Sequence, residues 1–395
     1  MSKLMKVVLV GGGSGGHVIP LREVSREILE CNRSVNLLII SNFGYRDRTE
    51  QIFKTLLKEH PERLSLKFIY GGKFRRYDRN ILQELLDIKT QLLNLKDLLK
   101  FMLGFLQSKL ILFRIEPLVV FCKSGTGALE FCLAARKKAT LITHDSDSRL
   151  GLTNKILSKY AKICLFGLPK TVDKIDSKEV IGVPIDSNFK AATKIEKFRA
   201  RAGLGLTENG KVVLVYGGSL GAAKINEALF ENLKELNNLG VQILHQVGSE
   251  AALVKAKRLK AGLVRPDLYI PFEFSEKIAE MYLAVDLVIG RSGATTIQEI
   301  ANAGMPSILI PAQLSDQQKN ARLLDLMKAS EVVREDELTK NVSILFKKVE
   351  LILRDEQLKK VLSESVLRLA KYNSAKQIAE LILTHRFEPK LVRKS

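Results

Sequence analysis

Met5-Lys6-Val7-Val8-Leu9-Val10-Gly11-Gly12-Gly13-Ser14-Gly15-Gly16-His17 is an apolar run that stops in glycines and restarts as polar, helix-opening sequence. A strand that gives way to a helix through glycines aims the helix's free N–H groups and positive dipole end at whatever lies above the turn, which suits a phosphate. A second turn of the same kind, Gly217-Gly218-Ser219-Leu220-Gly221-Ala222, follows the apolar run Lys211–Tyr216. Two such turns in one chain predict two similar halves facing one nucleotide or phosphosugar.

Outward from the first turn, the pattern alternates. Strands are expected at Lys6–Val10, Asn36–Ser41, Leu118–Cys122 and Ala139–Thr143. Helices are expected at Pro20–Cys31, Asp47–Glu59 and Gly127–Lys137, with a long helical region between Glu59 and Leu118. The alternation restarts after Val183-Pro184, with strands at Val212–Tyr216, Val241–Gln246, Leu268–Ile270, Leu287–Gly290 and Ser307–Ile310. Helices there are expected at Ala223–Leu236, Glu250–Lys260, Ser275–Ala284 and Thr296–Ala303. Strand–helix alternation means an α/β fold with parallel sheets covered by helices on both faces. The expected units are 1–185, 186–365 and a C-terminal helix with a basic tail, 366–395, packing back toward the first unit.

A length of 395 residues supports two cores rather than one. No aliphatic run is long enough to span a bilayer, and the N-terminal apolar stretch runs into glycines rather than a cleavage site, so the chain is expected to be neither secreted nor membrane-spanning. Cys31, Cys122, Cys132 and Cys164 are scattered without a C-x-x-C pair, which fits reduced thiols and predicts no structural metal. The net charge of +20 asks for an anionic partner. Nucleic acid is disfavoured, because aromatics make up only 6% of the chain and do not interleave a basic stripe as stacking platforms would.

The first turn formally matches G-x-G-x-x-G, a dinucleotide fingerprint. That reading wants a ribose-binding carboxylate at the end of the second strand, and the sequence there is Ser41-Asn42-Phe43-Gly44. A Walker reading fails because no Gly-Lys-Ser/Thr follows either loop. His17 stands where the helix begins, directed at the same cleft as the amides, and a neutral imidazole there is a candidate general base.

The loop Gly11–His17 with Pro20, the segment His144–Lys155 (HDSDSRLGLTNK), the loop GGSLGA, the stretch Arg291–Glu299 (RSGATTIQE) and Asp316–Ala321 (DQQKNA) occur in an order and spacing that resembles the MurG family of GT-B glycosyltransferases. The resemblance covers roughly residues 5–370. It implies a GT-B fold, two Rossmann-like domains with parallel sheets facing a central cleft. It also implies transfer of N-acetylglucosamine from its UDP ester, with inversion and without a metal or other cofactor, to the 4-hydroxyl of lipid-linked N-acetylmuramoyl-pentapeptide in peptidoglycan synthesis. Such an enzyme is peripheral at the cytoplasmic face of the cell membrane. Inversion needs a base for the acceptor hydroxyl and something to absorb charge on the departing diphosphate.

Carried over by position, the resemblance gives Ser219 and the helix start Ala294, Thr295 and Thr296 to the UDP diphosphate, and Glu299 to the ribose diol. Gln317 and Gln318 are given to the sugar hydroxyls, and main chain at Phe274 and Ser275 to uracil. Ser14, Gly15 and Gly16 lie nearer the acceptor diphosphate and donor sugar, with His17 or Asp145 as base. The chain departs from the family at three places. His144-Asp145-Ser146-Asp147 replaces His-Glu-Gln-Asn, so a sugar-binding amide becomes the carboxylate Asp147, which accepts but cannot donate. Gly182-Val183-Pro184-Ile185-Asp186 replaces Gly-Asn-Pro-Val-Arg, and Lys123-Ser124-Gly125 replaces Gly-Gly-Tyr. Two alternatives stay open on these departures: a related UDP-sugar transferase acting on another lipid, and a non-catalytic nucleotide-sugar or lipid-binding subunit.

Leu92–Phe113 is strongly apolar yet interrupted by Lys100 and Lys109, too short and too charged to span. Residues 67–114 carry ten Lys or Arg against four Asp or Glu. An interfacial helix on an anionic membrane, using Leu98, Phe101, Met102, Phe105 and Lys109, is expected; a buried helix pair is the alternative.

Overall fold

The computed structural model describes residues 5–13, 15–72, 88–169, 180–217, 223–313 and 315–384. Ser14 and Ser219, both expected at the nucleotide cleft, lie outside the described residues, as do the rest of the second glycine turn, residues 218–222, and the basic tail.

Among the described residues, twelve strands form two six-stranded sheets, every pairing between them parallel. The first is β1 (Met5–Gly12), β2 (Val35–Asn42), β3 (Leu64–Ile69), β4 (Val119–Gly125), β5 (Thr140–Asp145) and β6 (Ile163–Phe166), ordered β3-β2-β1-β4-β5-β6. The second is β7 (Val212–Tyr216), β8 (Gln242–Gln246), β9 (Tyr269–Phe272), β10 (Leu287–Gly290), β11 (Ser307–Leu309) and β12 (Glu331–Val332), ordered β12-β11-β10-β7-β8-β9. The two orders are one topology used twice. In each, the strand order reverses between the first and fourth strands, which is where an open α/β sheet binds its ligand, beyond the carboxyl ends.

Both sheets are covered on both faces. Val7 and Leu9 pack into one hydrophobic cluster while Val8 and Val10 pack into another; Val213 and Val215 separate from Val212, Leu214 and Tyr216 in the same way. Alternate side chains of a strand point to opposite faces, so an unbroken apolar run is the signature of such a strand. Three short strands escape that signature. Leu64–Ile69, within the region expected to be helical, is an edge strand whose burial alternates, and β6 and β12 are also short sheet-edge strands. The helix Ser374–Thr384 returns to the first sheet, placing Ala375, Ile378, Ala379 and Ile382 in the cluster beneath Gly15–Cys31.

At the first reversal point, Gly12 of β1 pairs with Gly125 of β4. A Cβ on Gly125 would stand 1.7 Å from the Gly12 carbonyl oxygen, and one on Gly12 would stand 2.1 Å from that of Thr126. Gly125 also has φ +97°, a conformation side chains rarely adopt. Gly125→Ala is therefore expected to destabilise the chain by roughly 2–4 kcal/mol through combined overlap and strain, measured by denaturant unfolding; unchanged stability would contradict the close approach.

Candidate functional site

The carboxyl ends of β1, β4 and β5 enclose a cavity of about 290 Å³, lined by His17, Lys123, Ser124, Thr126, Asp145 and Asp147 among others, with Asp316 entering from the second half. Its size is at the lower bound of small-molecule sites. Thr126 Oγ1 is buried there without a hydrogen-bond partner, which a polar ligand would satisfy.

His17 stands in the first turn of the helix Gly15–Cys31, with Gly15 and Gly16 as the two residues before it in that turn. Its Nδ1 lies 3.1 Å from the main-chain oxygen of Lys123. A carbonyl only accepts, so Nδ1 carries the hydrogen and Nε2 carries the lone pair. Burial, then the positive charge of Lys123, push the imidazole below its ordinary value of 6.5, so it is neutral at neutral pH. Lys123 itself is buried and donates to Ser146 Oγ.

Asp145, at the end of β5, is used differently. Its Oδ2 accepts from the Gly151 N–H at 2.9 Å and from Asn154 Nδ2 at 2.8 Å, so it shapes the loop leading into the helix Leu152–Leu157. Asp147 is half-buried, and burial raises its carboxyl above the usual range. Its Oδ1 accepts from Asn320 Nδ2 at 2.8 Å.

Asn320 is the residue that sequence reasoning missed. Wholly buried in the helix Gln317–Leu326, it donates to Asp147 Oδ1 and to the Ser292 carbonyl at 3.1 Å, while its Oδ1 accepts from the Ser148 N–H at 2.9 Å. One amide thereby joins the β5 loop of the first sheet to the β10 loop of the second. A second junction holds the linker: the Gly182 carbonyl accepts from His144 Nε2 at 2.8 Å, the Val183 N–H donates to Gln298 Oε1 at 3.0 Å, and Ser374 Oγ donates to the Ile181 carbonyl at 2.9 Å.

In the second half, the helix Ala294–Ala303 begins at Gly293, which caps no amide with a side chain, so the N–H groups of Ala294, Thr295 and Thr296 form an uncapped positive end. Arg291 braces the preceding loop through the Ile310 carbonyl at 3.0 Å and a mostly buried ion pair with Glu335 at 2.6 Å. Glu299, further along that helix, accepts from the Tyr216 hydroxyl at 2.6 Å, and burial pushes its carboxyl up to about 7. The side chains of Gln317 and Gln318 face the loop after β11: Gln317 Oε1 accepts from the Ala312 N–H at 3.0 Å, and Gln318 Nε2 lies 3.3 Å from the Ala312 carbonyl. Ser275 precedes the helix Ile278–Ala284, its Oγ accepting from the Lys277 N–H at 3.0 Å. Phe274 beside it is exposed rather than part of the core. Asp186 turns toward its own backbone, accepting from the Asn188 N–H at 2.9 Å.

The family model for the glycosyltransferase family 28 N-terminal domain matches residues 7–165, and that for the C-terminal domain matches residues 212–382. The chain belongs to glycosyltransferase family 28. Its relatives match most of its length. The UDP-N-acetylglucosamine--N-acetylmuramyl-(pentapeptide) pyrophosphoryl-undecaprenol N-acetylglucosamine transferase of Thermoanaerobacter sp. (strain X514) is 30% identical over 96% of this chain and 99% of its own. The protein of the same description from Listeria monocytogenes serovar 1/2a is 31% identical over the same shares, and that from Bacillus licheniformis is 33% identical over 89% and 91%. Among solved structures, Acinetobacter baumannii MurG aligns with a TM-score of 0.68 at 22% identity, covering 96% of this chain and 99% of that one. A UDP-GlcNAc 2-epimerase from Neisseria meningitidis aligns with a TM-score of 0.60 at 13% identity, covering 96% and 100%. The shared architecture thus serves more than one reaction, and family membership rather than fold makes this chain a glycosyltransferase.

Asn320→Ala is expected to cost about 1–3 kcal/mol of unfolding free energy, because the buried Ser148 N–H loses its acceptor and Asp147 its donor. Denaturant titration at neutral pH measures it; wild-type stability would mean that the bridge does not hold in solution.

Proposed function

We propose that the chain moves N-acetylglucosamine from UDP-N-acetylglucosamine to the 4-hydroxyl of lipid-linked N-acetylmuramoyl-pentapeptide, with inversion. The observation that carries this reading is the end-to-end match, at about 30% identity, to transferases of that description. In this reading residues 1–185 form the acceptor unit and 186–365 the nucleotide-sugar unit, and the helix Ser374–Thr384 of the C-terminal segment packs back toward the first.

His17 serves as the base. Its Nε2 takes the acceptor hydroxyl's proton as that oxygen attacks the sugar's C1, while the C1–O bond to the diphosphate breaks and UDP leaves with the electron pair. The tie of Nδ1 to a carbonyl favours His17 over Asp145, whose Oδ2 already accepts two hydrogen bonds. The developing charge on UDP is met by the uncapped amides of Ala294, Thr295 and Thr296, and Ser219 is assigned to the same diphosphate by the resemblance alone. Glu299 receives the ribose hydroxyls, main chain at Ser275 the uracil, and Gln317 and Gln318 the sugar. Ser14, Gly15, Gly16 and Asp147 complete the site toward the acceptor and the donor sugar.

Turnover of UDP-N-acetylglucosamine with a lipid-linked N-acetylmuramoyl-pentapeptide analogue, with and without chelator, tests the reaction. Product insensitive to chelation is expected, and UDP binding without product would overturn it. His17→Ala should lower turnover on the order of a hundredfold or more while sparing UDP affinity. The acid limb of the pH–rate profile should fall below the ordinary imidazole value of 6.5, because the enzyme works with His17 neutral and its basicity is depressed; a limb at or above that value would remove His17 from the role.

The acceptor's lipid explains the helix Ile88–Ile115, which is oriented inside out. Its small and polar residues Asp97, Gly104 and Ser108 face the protein, a Cβ at Gly104 falling 1.9 Å from the Tyr70 carbonyl oxygen. Leu92, Leu95, Leu98, Leu99, Met102, Leu103, Leu106, Leu110 and Phe113 are exposed, Phe113 to 79%. Phe101 and Phe105 stack with centroids 6.4 Å apart, and Lys109 Nζ lies 5.0 Å from the Phe105 ring centroid. No helix among the described residues is long and apolar enough to cross a membrane. We place this face on the anionic cytoplasmic surface of the cell membrane, apolar residues entering the acyl boundary and lysines meeting headgroups. Replacing Leu99 and Met102 by Asp should reduce the fraction bound to anionic vesicles by roughly tenfold or more without changing turnover of a short-chain soluble acceptor; undiminished co-sedimentation would exclude this face.

A further inference from the structure

We propose that Tyr216, itself fixed by Tyr282, is a positioning residue for nucleotide recognition, holding one oxygen of Glu299 so that the rest of the carboxylate is presented to the ribose diol of a uridine nucleotide. The inference rests on the ribose reading of Glu299 and adds what orients it.

With Glu299 ionised, the form that can accept from ribose hydroxyls, the hydrogen bonds have one direction. The Tyr216 hydroxyl has one hydrogen and donates it to Glu299 Oε2 at 2.6 Å. The Tyr282 hydroxyl lies 2.8 Å from that of Tyr216, so Tyr282 must be the donor there. The relay runs from Tyr282 through Tyr216 to the carboxylate. Both rings are buried, Tyr216 in β7 and Tyr282 in the helix Ile278–Ala284. They meet edge to face with centroids 6.2 Å apart, and Phe189 closes on Tyr282 at 5.0 Å. Gly290 of the neighbouring strand lacks the Cβ that would press on Tyr216, standing 3.1 Å from its carbonyl oxygen and 3.8 Å from its ring. The last torsion of a glutamate is broad, so a carboxylate without such a tie samples many orientations.

Three titratable groups act on Glu299: Tyr216 from β7, Tyr282 from the helix beside it, and Asp186 from the linker. The Tyr216 hydrogen bond favours the ionised carboxylate, while burial and the negative charge of Asp186 oppose it. Ribose hydroxyls donate, so recognition needs the ionised form. Removing the Tyr216 hydroxyl then weakens recognition twice, by freeing the carboxylate's orientation and by moving its ionisation to higher pH.

Calorimetric titration of UDP and 2′-deoxy-UDP into wild type, Tyr216→Phe, Tyr282→Phe and Glu299→Ala, from about pH 6 to about pH 9, tests this. The ratio of the two affinities cancels the phosphate's own titration. Tyr216→Phe should lower UDP affinity by roughly 5- to 20-fold at neutral pH. It should also move the pH at which UDP loses its advantage over the deoxy compound upward, an effect that loss of packing alone would not produce. Tyr282→Phe should act in the same direction more weakly, and keeps the inference testable if the first variant unfolds. Wild-type affinity and an unmoved pH profile in Tyr216→Phe, with Glu299→Ala impaired, would overturn the inference and leave the ribose reading standing; unchanged UDP affinity in Glu299→Ala would overturn both.

Discussion

The close approach of β1 and β4 at Gly12 and Gly125 is the constraint on which the first half depends. Only hydrogen side chains let the two strand ends come together where the strand order reverses, with Gly125 in a left-handed conformation. That crossing sets where the chain must diverge, into the helix Gly15–Cys31 on one side and Ala128–Ala135 on the other. The divergence opens the cavity, and His17 and Lys123 line it because each lies at or just beyond the end of a converging strand.

Charge inside that cavity is arranged so that each group has a compensating partner. Lys123 is buried against Ser146 and acts electrostatically on His17 and Asp147, lowering the basicity of the one and favouring ionisation of the other. The sequence departures at Lys123 and Asp147 thus share one pocket, where the buried cation favours the ionised form of a half-buried carboxyl that burial otherwise raises. Asn320 then supplies Asp147 with a neutral donor from the opposite half, so a single amide serves both charge balance and the junction between the halves.

The two halves use one topology for different ends. The first has at its reversal point a cavity lined by a neutral imidazole, whereas the second presents an uncapped helix end and a carboxylate tied by Tyr216, which Tyr282 holds in turn. The linker between them is held at Gly182 and Val183 by residues from both halves. Ser374, at the start of the returning helix, holds it at Ile181, so that helix fastens the linker as well as packing on the first sheet.

Sequence by itself determined the alternation, the two doubly covered parallel sheets and the first glycine turn, because buried strands must be apolar on both faces and a crossing as close as that of Gly12 and Gly125 must be glycine. It also set His17 just past the first glycine turn, where the helix Gly15–Cys31 begins. It misassigned Leu64–Ile69, whose alternate exposure at a sheet edge removes the unbroken apolar run that marked the other strands. Tertiary structure alone decided that Nδ1 of His17 meets the Lys123 carbonyl, that Asp145 shapes a loop, and that Tyr216 ties Glu299. It alone showed that Asn320 spans a separation of more than 170 residues to reach Asp147 and Ser148. These are directional contacts between polar atoms brought together from distant segments, and no local pattern of hydrophobicity, propensity or spacing encodes their direction.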